Sequence, residues 1–136
     1  MNKRIVKNEE ETREFGLELA AAASAGQIIA LTGGLGTGKT TLTKAIGEGL
    51  GIKAMITSPT YTIIHEYQGG RLPLYHFDVY RIDGADDMYE LGFEEYFYGG
   101  GLTVVEWADR IPELLPPDAL RIKIDFMADA GRIYTY

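Results

Sequence analysis

A chain of 136 residues with 46% hydrophobic and 24% charged side chains has the size and composition of one globular domain, not of a disordered or membrane-spanning protein. No apolar run approaches the roughly 20 residues of a membrane-spanning helix, and zero cysteines exclude disulfides, thiolate catalysis and Cys-based zinc sites. Thirteen Lys and Arg against twenty Asp and Glu leave a net charge of −7, which opposes unassisted binding to a polyphosphate backbone, so any nucleic acid is expected to be met through a partner protein.

Taken in chain order, the basic start Met1 to Arg4 leads into charged Lys7, Glu9, Glu10 and Glu11 instead of the apolar stretch of a signal peptide, so a cytoplasmic location is expected. Lys3 to Val6 predicts a short strand. Asn8 and Glu11 stand at the spacing of a capping box, which predicts a helix carried by Phe15, Leu17 and Leu19 to Ser24, with Gly26 as its stop. Gln27 to Thr32 is an apolar run of the kind buried on both faces of a parallel sheet. A glycine-rich loop follows at once, and Leu42, Ala45, Ile46 and Leu50 then recur at helical spacing from Lys39 to about Leu50, ended by Gly51.

Ser58-Pro59 interrupts regular structure, after which Tyr61 to Tyr67 and Leu72 to Asp78 predict a β-hairpin about Gln68-Gly69-Gly70-Arg71. A turn closed at the two glycines sets Leu74 opposite His65 and Ile63 opposite His76. The two histidines then do not face each other, which favours a plain polar role over a metal site, since a transition metal usually takes three or four ligands. Asp83 to Leu91 and Phe93 to Phe97 read as helical on either side of Gly92. Gly99-Gly100-Gly101 turns the chain into the apolar run Leu102 to Trp107, and Pro112, Pro116 and Pro117 rule out a long helix thereafter. Leu120 to Phe126 and Arg132 to Tyr136 complete the strands. Helices alternating with strands around a buried apolar strand imply one three-layer α/β domain over residues 1–136, with a mainly parallel central sheet and a β-hairpin.

The chemistry is carried by Gly33-Gly34-Leu35-Gly36-Thr37-Gly38-Lys39-Thr40, which has P-loop spacing and stands after a predicted strand and before a predicted helix. A triphosphate approaches such a loop so closely that side chains at Gly36 and Gly38 would obstruct it, while the loop N–H groups and the helix N-terminus supply donors and positive potential. Lys39 is expected to reach the β and γ phosphates and the Thr40 hydroxyl to bind Mg²⁺. The second element of such a site is an apolar strand ending in a carboxylate that helps hold Mg²⁺ beside the phosphates, and Glu106 occupies that place. Asp78 ends another apolar strand and is a candidate for orienting Mg²⁺ or an attacking water. Ser58-Pro59-Thr60-Tyr61-Thr62 fills the interval in which a γ-phosphate-sensing segment is often found, with the Thr60 hydroxyl as a candidate ligand. The domain is thus expected to be P-loop NTPase-like. Tyr61, Tyr67, Tyr75 and Tyr80 on or beside the hairpin read as packing residues, with presentation to a partner as the alternative.

Four separated stretches, Leu35 to Leu42, Ser58 to Thr62, Tyr75-His76-Phe77-Asp78-Val79-Tyr80-Arg81 and Val105-Glu106-Trp107, together closely resemble the TsaE (formerly YjeE) family of bacterial P-loop ATPases. The resemblance spans essentially the whole chain. It implies an ATP- and Mg²⁺-dependent accessory of threonylcarbamoyladenosine (t6A) tRNA modification that acts with TsaB and TsaD and is not itself the transferase, with tRNA met only through the complex. Carried over by motif, it implies that Leu35, Gly36, Thr37, Gly38, Lys39 and Thr40 hold the phosphates, that Thr40 and Glu106 bind Mg²⁺, that Asp78 serves hydrolysis and that Trp107 lies close to the nucleotide. Glu9 and Arg132 match further family nucleotide contacts. Gly34 is a departure, since the family usually has Asp there, and Thr37 replaces the more usual Ala.

Two other functions fit the residues. A small P-loop kinase would pass the γ-phosphoryl to a metabolite, although the region after Glu106 offers only Arg110, Arg121 and Arg132 for a lid. A nucleotide-dependent binding module without useful hydrolysis is the other. The guanine-reading Asn-Lys-x-Asp pattern is absent, which disfavours a GTPase.

Overall fold

The computed structural model describes residues 1–34 and 36–136. The first strand, β1 (Lys3–Val6), enters helix α1 (Glu9–Ala22) through Asn8, whose backbone is extended and whose side-chain Oδ1 accepts the Glu11 N–H at 2.9 Å. Glu11 returns the bond one residue further out than a standard capping box, accepting from the Lys7 N–H at 2.9 Å. The helix stops two residues before the expected Ser24, and its end is satisfied from a distance. The Arg71 guanidinium donates to the Ala20 and Ala23 carbonyls, at 2.5 and 2.9 Å.

Strand β2 (Ile28–Thr32) and helix α2 (Lys39–Gly49) flank the glycine-rich loop. The hairpin strands β3 (Ile64–Tyr67) and β4 (Leu74–Asp78) are shorter than expected. Pro59 to Ile63 is closed as a turn by the Ile63 N–H to the Pro59 carbonyl at 2.8 Å. Helices α3 (Ala85–Glu90) and α4 (Phe93–Phe97) are separated at Gly92, as the sequence implies, and β5 (Leu102–Glu106), two short 3-10 turns, β6 (Leu120–Phe126) and β7 (Arg132–Thr135) follow.

All seven strands form one mixed sheet in the order β1-β7-β6-β2-β5-β4-β3. Its centre is parallel, β2 pairing with β5 and β6 and β4 with β5, while β1, β7 and β3 attach by antiparallel pairing. The parallel centre follows from burial. Alternate residues of β2 enter two separate cores, Ile29 and Leu31 on the side of α1 and α2, and Ile28 and Ala30 on the side of α3, α4 and the 3-10 turns. A strand covered on both faces needs apolar residues at every position, which the sequence shows. Among the described residues no helix is long and apolar enough to cross a membrane.

The hairpin register departs from expectation by two residues. His65 pairs directly with His76, and Tyr67 with Leu74, so six residues rather than a tight turn join the strands. The cause is tertiary. The connection is drawn onto the ends of α1 and α2 by Arg71, whose N–H also donates to the Leu50 carbonyl at 2.7 Å. Although paired, the two imidazoles have different partners. His65 Nδ1 lies 3.2 Å from the Thr57 carbonyl, and His76 bonds to Glu106.

Candidate functional site

The P-loop lies at the C-terminal end of β2, where the sheet order runs to β5 on one side and β6 on the other. Open α/β sheets bind ligands at such a crevice. Gly38 stands at the N-cap of α2 with φ 96°, a left-handed conformation suited to glycine, and provides no side-chain cap. The first-turn amides of α2 therefore lack the carboxylate or hydroxyl that usually closes a helix start. Thr37 is buried and braces the loop, its hydroxyl donating to the Gly34 carbonyl at 2.9 Å.

Lys39 is only 5% exposed. Its Nζ donates to the Gly33 and Gly34 carbonyls at 2.8 Å each and lies 3.9 Å from the centre of the Trp107 ring. Burial pushes the Lys39 ammonium below its usual pKa, and the charges of Glu106, Asp78 and Asp109 oppose that shift. Trp107 reaches this place because the chain turns left-handed immediately after β5, at φ 61°, a conformation that costs a non-glycine residue about 1 kcal/mol or more. Tyr80 packs against the indole with ring centres 4.6 Å apart and the planes tilted by 44°.

Side-chain alternation places Leu74, His76 and Asp78 of β4 and Leu102, Val104 and Glu106 of β5 on the face covered by α2. Asp78 and Glu106 are register partners at the ends of their strands. The Thr40 hydroxyl lies 3.0 Å from both oxygens of Glu106, which is 3% exposed, and the fully buried His76 donates from Nε2 to Glu106 Oε2. Asp78 accepts the Tyr80 N–H at 3.0 Å and the Ser58 hydroxyl at 3.3 Å, and Ser58 lies 2.7 Å from the Thr60 hydroxyl.

A cleft of about 480 Å³ runs along these groups. From the loop and α2 it is lined by Gly36, Gly38, Lys39 and Thr40, and from the hairpin side by Thr60 and Asp78. Glu106, Trp107 and Arg132 close it. Arg132 packs against Gly38, where an added Cβ would stand 3.2 Å from its Nε, and that Nε is buried without an acceptor among the described residues. A buried, unpartnered guanidinium donor in the wall of a cleft suits an anion. Glu9 is apart from this cleft. It lines a neighbouring hollow of about 270 Å³ with Lys44 and Thr41, and Thr41 borders both spaces. Leu35 lies outside the described residues.

The Thr40 hydroxyl and Glu106 carboxylate are hard oxygen donors beside the phosphate loop. They fit Mg²⁺, which takes one or two protein oxygens and completes its shell with water and phosphate. Among the described residues no three or more His, Cys, Asp or Glu side chains gather as a metal cage. His76 and Arg81 are among the neighbours of the site that were not expected as functional residues. His76 was discoverable from strand parity, two residues before Asp78 on the same face. Arg81, in the same motif, borders the cleft with its guanidinium 4.8 Å from the ring centre of Tyr61, which is 83% exposed.

The profile of the family described as "Threonylcarbamoyl adenosine biosynthesis protein TsaE" matches residues 6–133. The chain is 49% identical over 129 residues to a tRNA threonylcarbamoyladenosine biosynthesis protein TsaE of Bacillus subtilis, covering 95% of this chain and 80% of the relative. It is 37% identical over 131 residues to the protein of the same description from Treponema pallidum, covering 96% of each. Among solved structures, the crystal structure of Bacillus subtilis YdiB superposes with a TM-score of 0.86 at 44% identity, covering 98% of this chain and 82% of that one.

Proposed function

This chain belongs to the TsaE family of threonylcarbamoyl adenosine biosynthesis proteins, and from that premise we propose that it is a Mg²⁺-dependent ATPase whose nucleotide state controls its work with TsaB and TsaD in tRNA t6A modification. One observation carries the reading. Asp78 and Glu106, paired at the ends of adjacent parallel strands, face the same cleft as Lys39 and Thr40. That arrangement separates a carboxylate suited to a cation from one suited to a water.

In this reading the loop amides, the start of α2, Lys39 and Arg132 receive the phosphates, because each offers donors or positive charge with little solvent competition. Thr40 and Glu106 hold Mg²⁺, which when bound neutralises charge on the β and γ phosphates. Asp78 is the residue that orients the attacking water. Its carboxylate is already aimed by the Tyr80 N–H and the Ser58 hydroxyl, so little reorganisation remains. Trp107 flanks the nucleotide, Thr60 approaches from the hairpin side, and Glu9 contributes from the neighbouring hollow, which shares Thr41 with the cleft as a lining residue. Adenine as the base and location in the cytoplasm are part of the same proposal, supported by membership of the family. With no arginine finger assigned within the chain, hydrolysis by the isolated protein is expected to be slow.

The test couples two measurements. Trp107 is the chain's single tryptophan and reports nucleotide binding by its fluorescence. Steady-state hydrolysis is followed with and without TsaB and TsaD. Asp78→Ala is expected to lower turnover by about 100-fold, the low end of loss for a proton-handling residue, while ATP affinity stays within about threefold. Unchanged turnover would remove Asp78 from the mechanism. Equal rates with and without the partners would remove partner control, and transfer of labelled phosphoryl to a metabolite would replace the ATPase with a kinase.

A further inference from the structure

We infer that His76 is a positioning residue for Glu106, holding its carboxylate in the orientation in which Glu106 and Thr40 together receive the divalent cation. The inference rests on the reading of that pair as the Mg²⁺ site. It begins from a misfit in the core. In the α2-facing layer formed by the inner residues of β4 and β5, Asp78 and Glu106 end the strands at the cleft, while behind them His76, with 0% exposure, stands among the apolar Leu74, Leu102 and Val104. A side chain there for packing alone would be apolar like its neighbours, since a buried polar group is costly unless bonded.

The bonding pattern shows what the imidazole does. Among the described residues its buried Nδ1 has no partner, and the ring's polar contact there is the one from Nε2 to Glu106 Oε2. A carboxylate only accepts, so the proton of this bond is carried by Nε2. Thr40 cannot orient Glu106 by itself, because its hydroxyl is equidistant, at 3.0 Å, from both oxygens and has one proton to donate. His76 breaks that symmetry by engaging Oε2, which leaves Oε1 to the Thr40 side. Without this contact the carboxylate is free to turn toward the positive charge of Lys39, which it already influences. Outer hydrogen bonds of this kind commonly change metal affinity by about 10- to 100-fold without touching the metal.

The test compares His76→Gln with His76→Asn in the intact chain, reading ATP affinity from Trp107 fluorescence in Mg²⁺ and in EDTA. The glutamine amide reaches about as far as Nε2 and can donate to Glu106, whereas the asparagine amide is one methylene shorter. The expected result is that His76→Asn reduces the Mg²⁺ enhancement of ATP affinity about tenfold, that His76→Gln keeps it within about threefold of the parent, and that affinities in EDTA differ by less than about twofold. In a Glu106→Gln background, His76→Asn should add nothing further. Equal losses in both variants, or an EDTA affinity that falls as far as the Mg²⁺ affinity, would overturn the positioning role in favour of packing. Full enhancement in His76→Asn would also overturn it while leaving the Mg²⁺ site standing. A parent protein with no Mg²⁺ enhancement would remove both readings.

Discussion

At the scale of single residues, Gly34 stands where the sequence resemblance leads to the expectation of Asp, and its surroundings leave room for that side chain. Its carbonyl accepts from Lys39 Nζ and from the Thr37 hydroxyl, both contributions of the backbone, whereas a Cβ added at Gly34 would meet nothing within 4 Å. Gly34→Asp is therefore expected to change stability by less than about 0.5 kcal/mol, as at an open surface position, and to leave ATP affinity within about threefold. Urea denaturation and Trp107 fluorescence check this; a loss above about 2 kcal/mol would mean that the loop requires glycine there. Lys39, Thr40, Asp78 and Glu106 were legible individually because a phosphate loop and acid-ended apolar strands constrain residue type and spacing together. The His76 contact was not, because it depends on which strand becomes the neighbour of β4.

At the scale of elements, the closeness of α1 and α2 is set by small residues. An added Cβ at Gly16 would stand 2.3 Å from the Ala45 Cβ, and one at Gly49 would stand 2.6 Å from the Ala20 Cβ. Arg13 on α1 also meets Glu48 on α2, with Nη2 2.6 Å from Oε1. Gly16→Ala gains up to about 1 kcal/mol of helix propensity, but forcing a methyl into this contact costs about 1–3 kcal/mol. The packing term is expected to win, lowering stability by about 1 kcal/mol in urea denaturation; a more stable variant would show that the helices separate easily. The same scale shows why the hairpin was only half legible. Its strands are visible in the apolar pattern, and shifting by two residues keeps every side chain on its face. The shift nevertheless changes every opposite partner, and it is decided by Arg71 docking on helix ends more than 45 residues earlier in sequence.

At the scale of the whole molecule, Tyr134 of β7 ties the sheet to α1. Fully buried, it packs against Phe15 with ring centres 4.9 Å apart and lies 3.4 Å from the Thr12 hydroxyl. Burial raises its pKa above the ordinary value of 10.0, partly opposed by the Thr12 hydrogen bond and by Arg132. Above about pH 10 the unfolded chain ionises this phenol before the folded one does. The stabilisation is complete below that pH and is lost as pH rises through the folded value, at up to about 1.4 kcal/mol per pH unit. Tyr134→Phe is expected to lose less stability than the parent between pH 9.5 and 11 in urea denaturation, and parallel losses would refute the assignment. The sequence by itself determined that an apolar strand, a glycine-rich loop of P-loop spacing and an amphipathic helix follow one another, because backbone approach, burial on two faces and helical periodicity each restrict residues locally. Only the tertiary structure decided that β2 lies between β5 and β6, that His76 stands beside Glu106 and that Glu9 borders a separate hollow. Those outcomes depend on strand order and on long-range docking, and no local pattern encodes either.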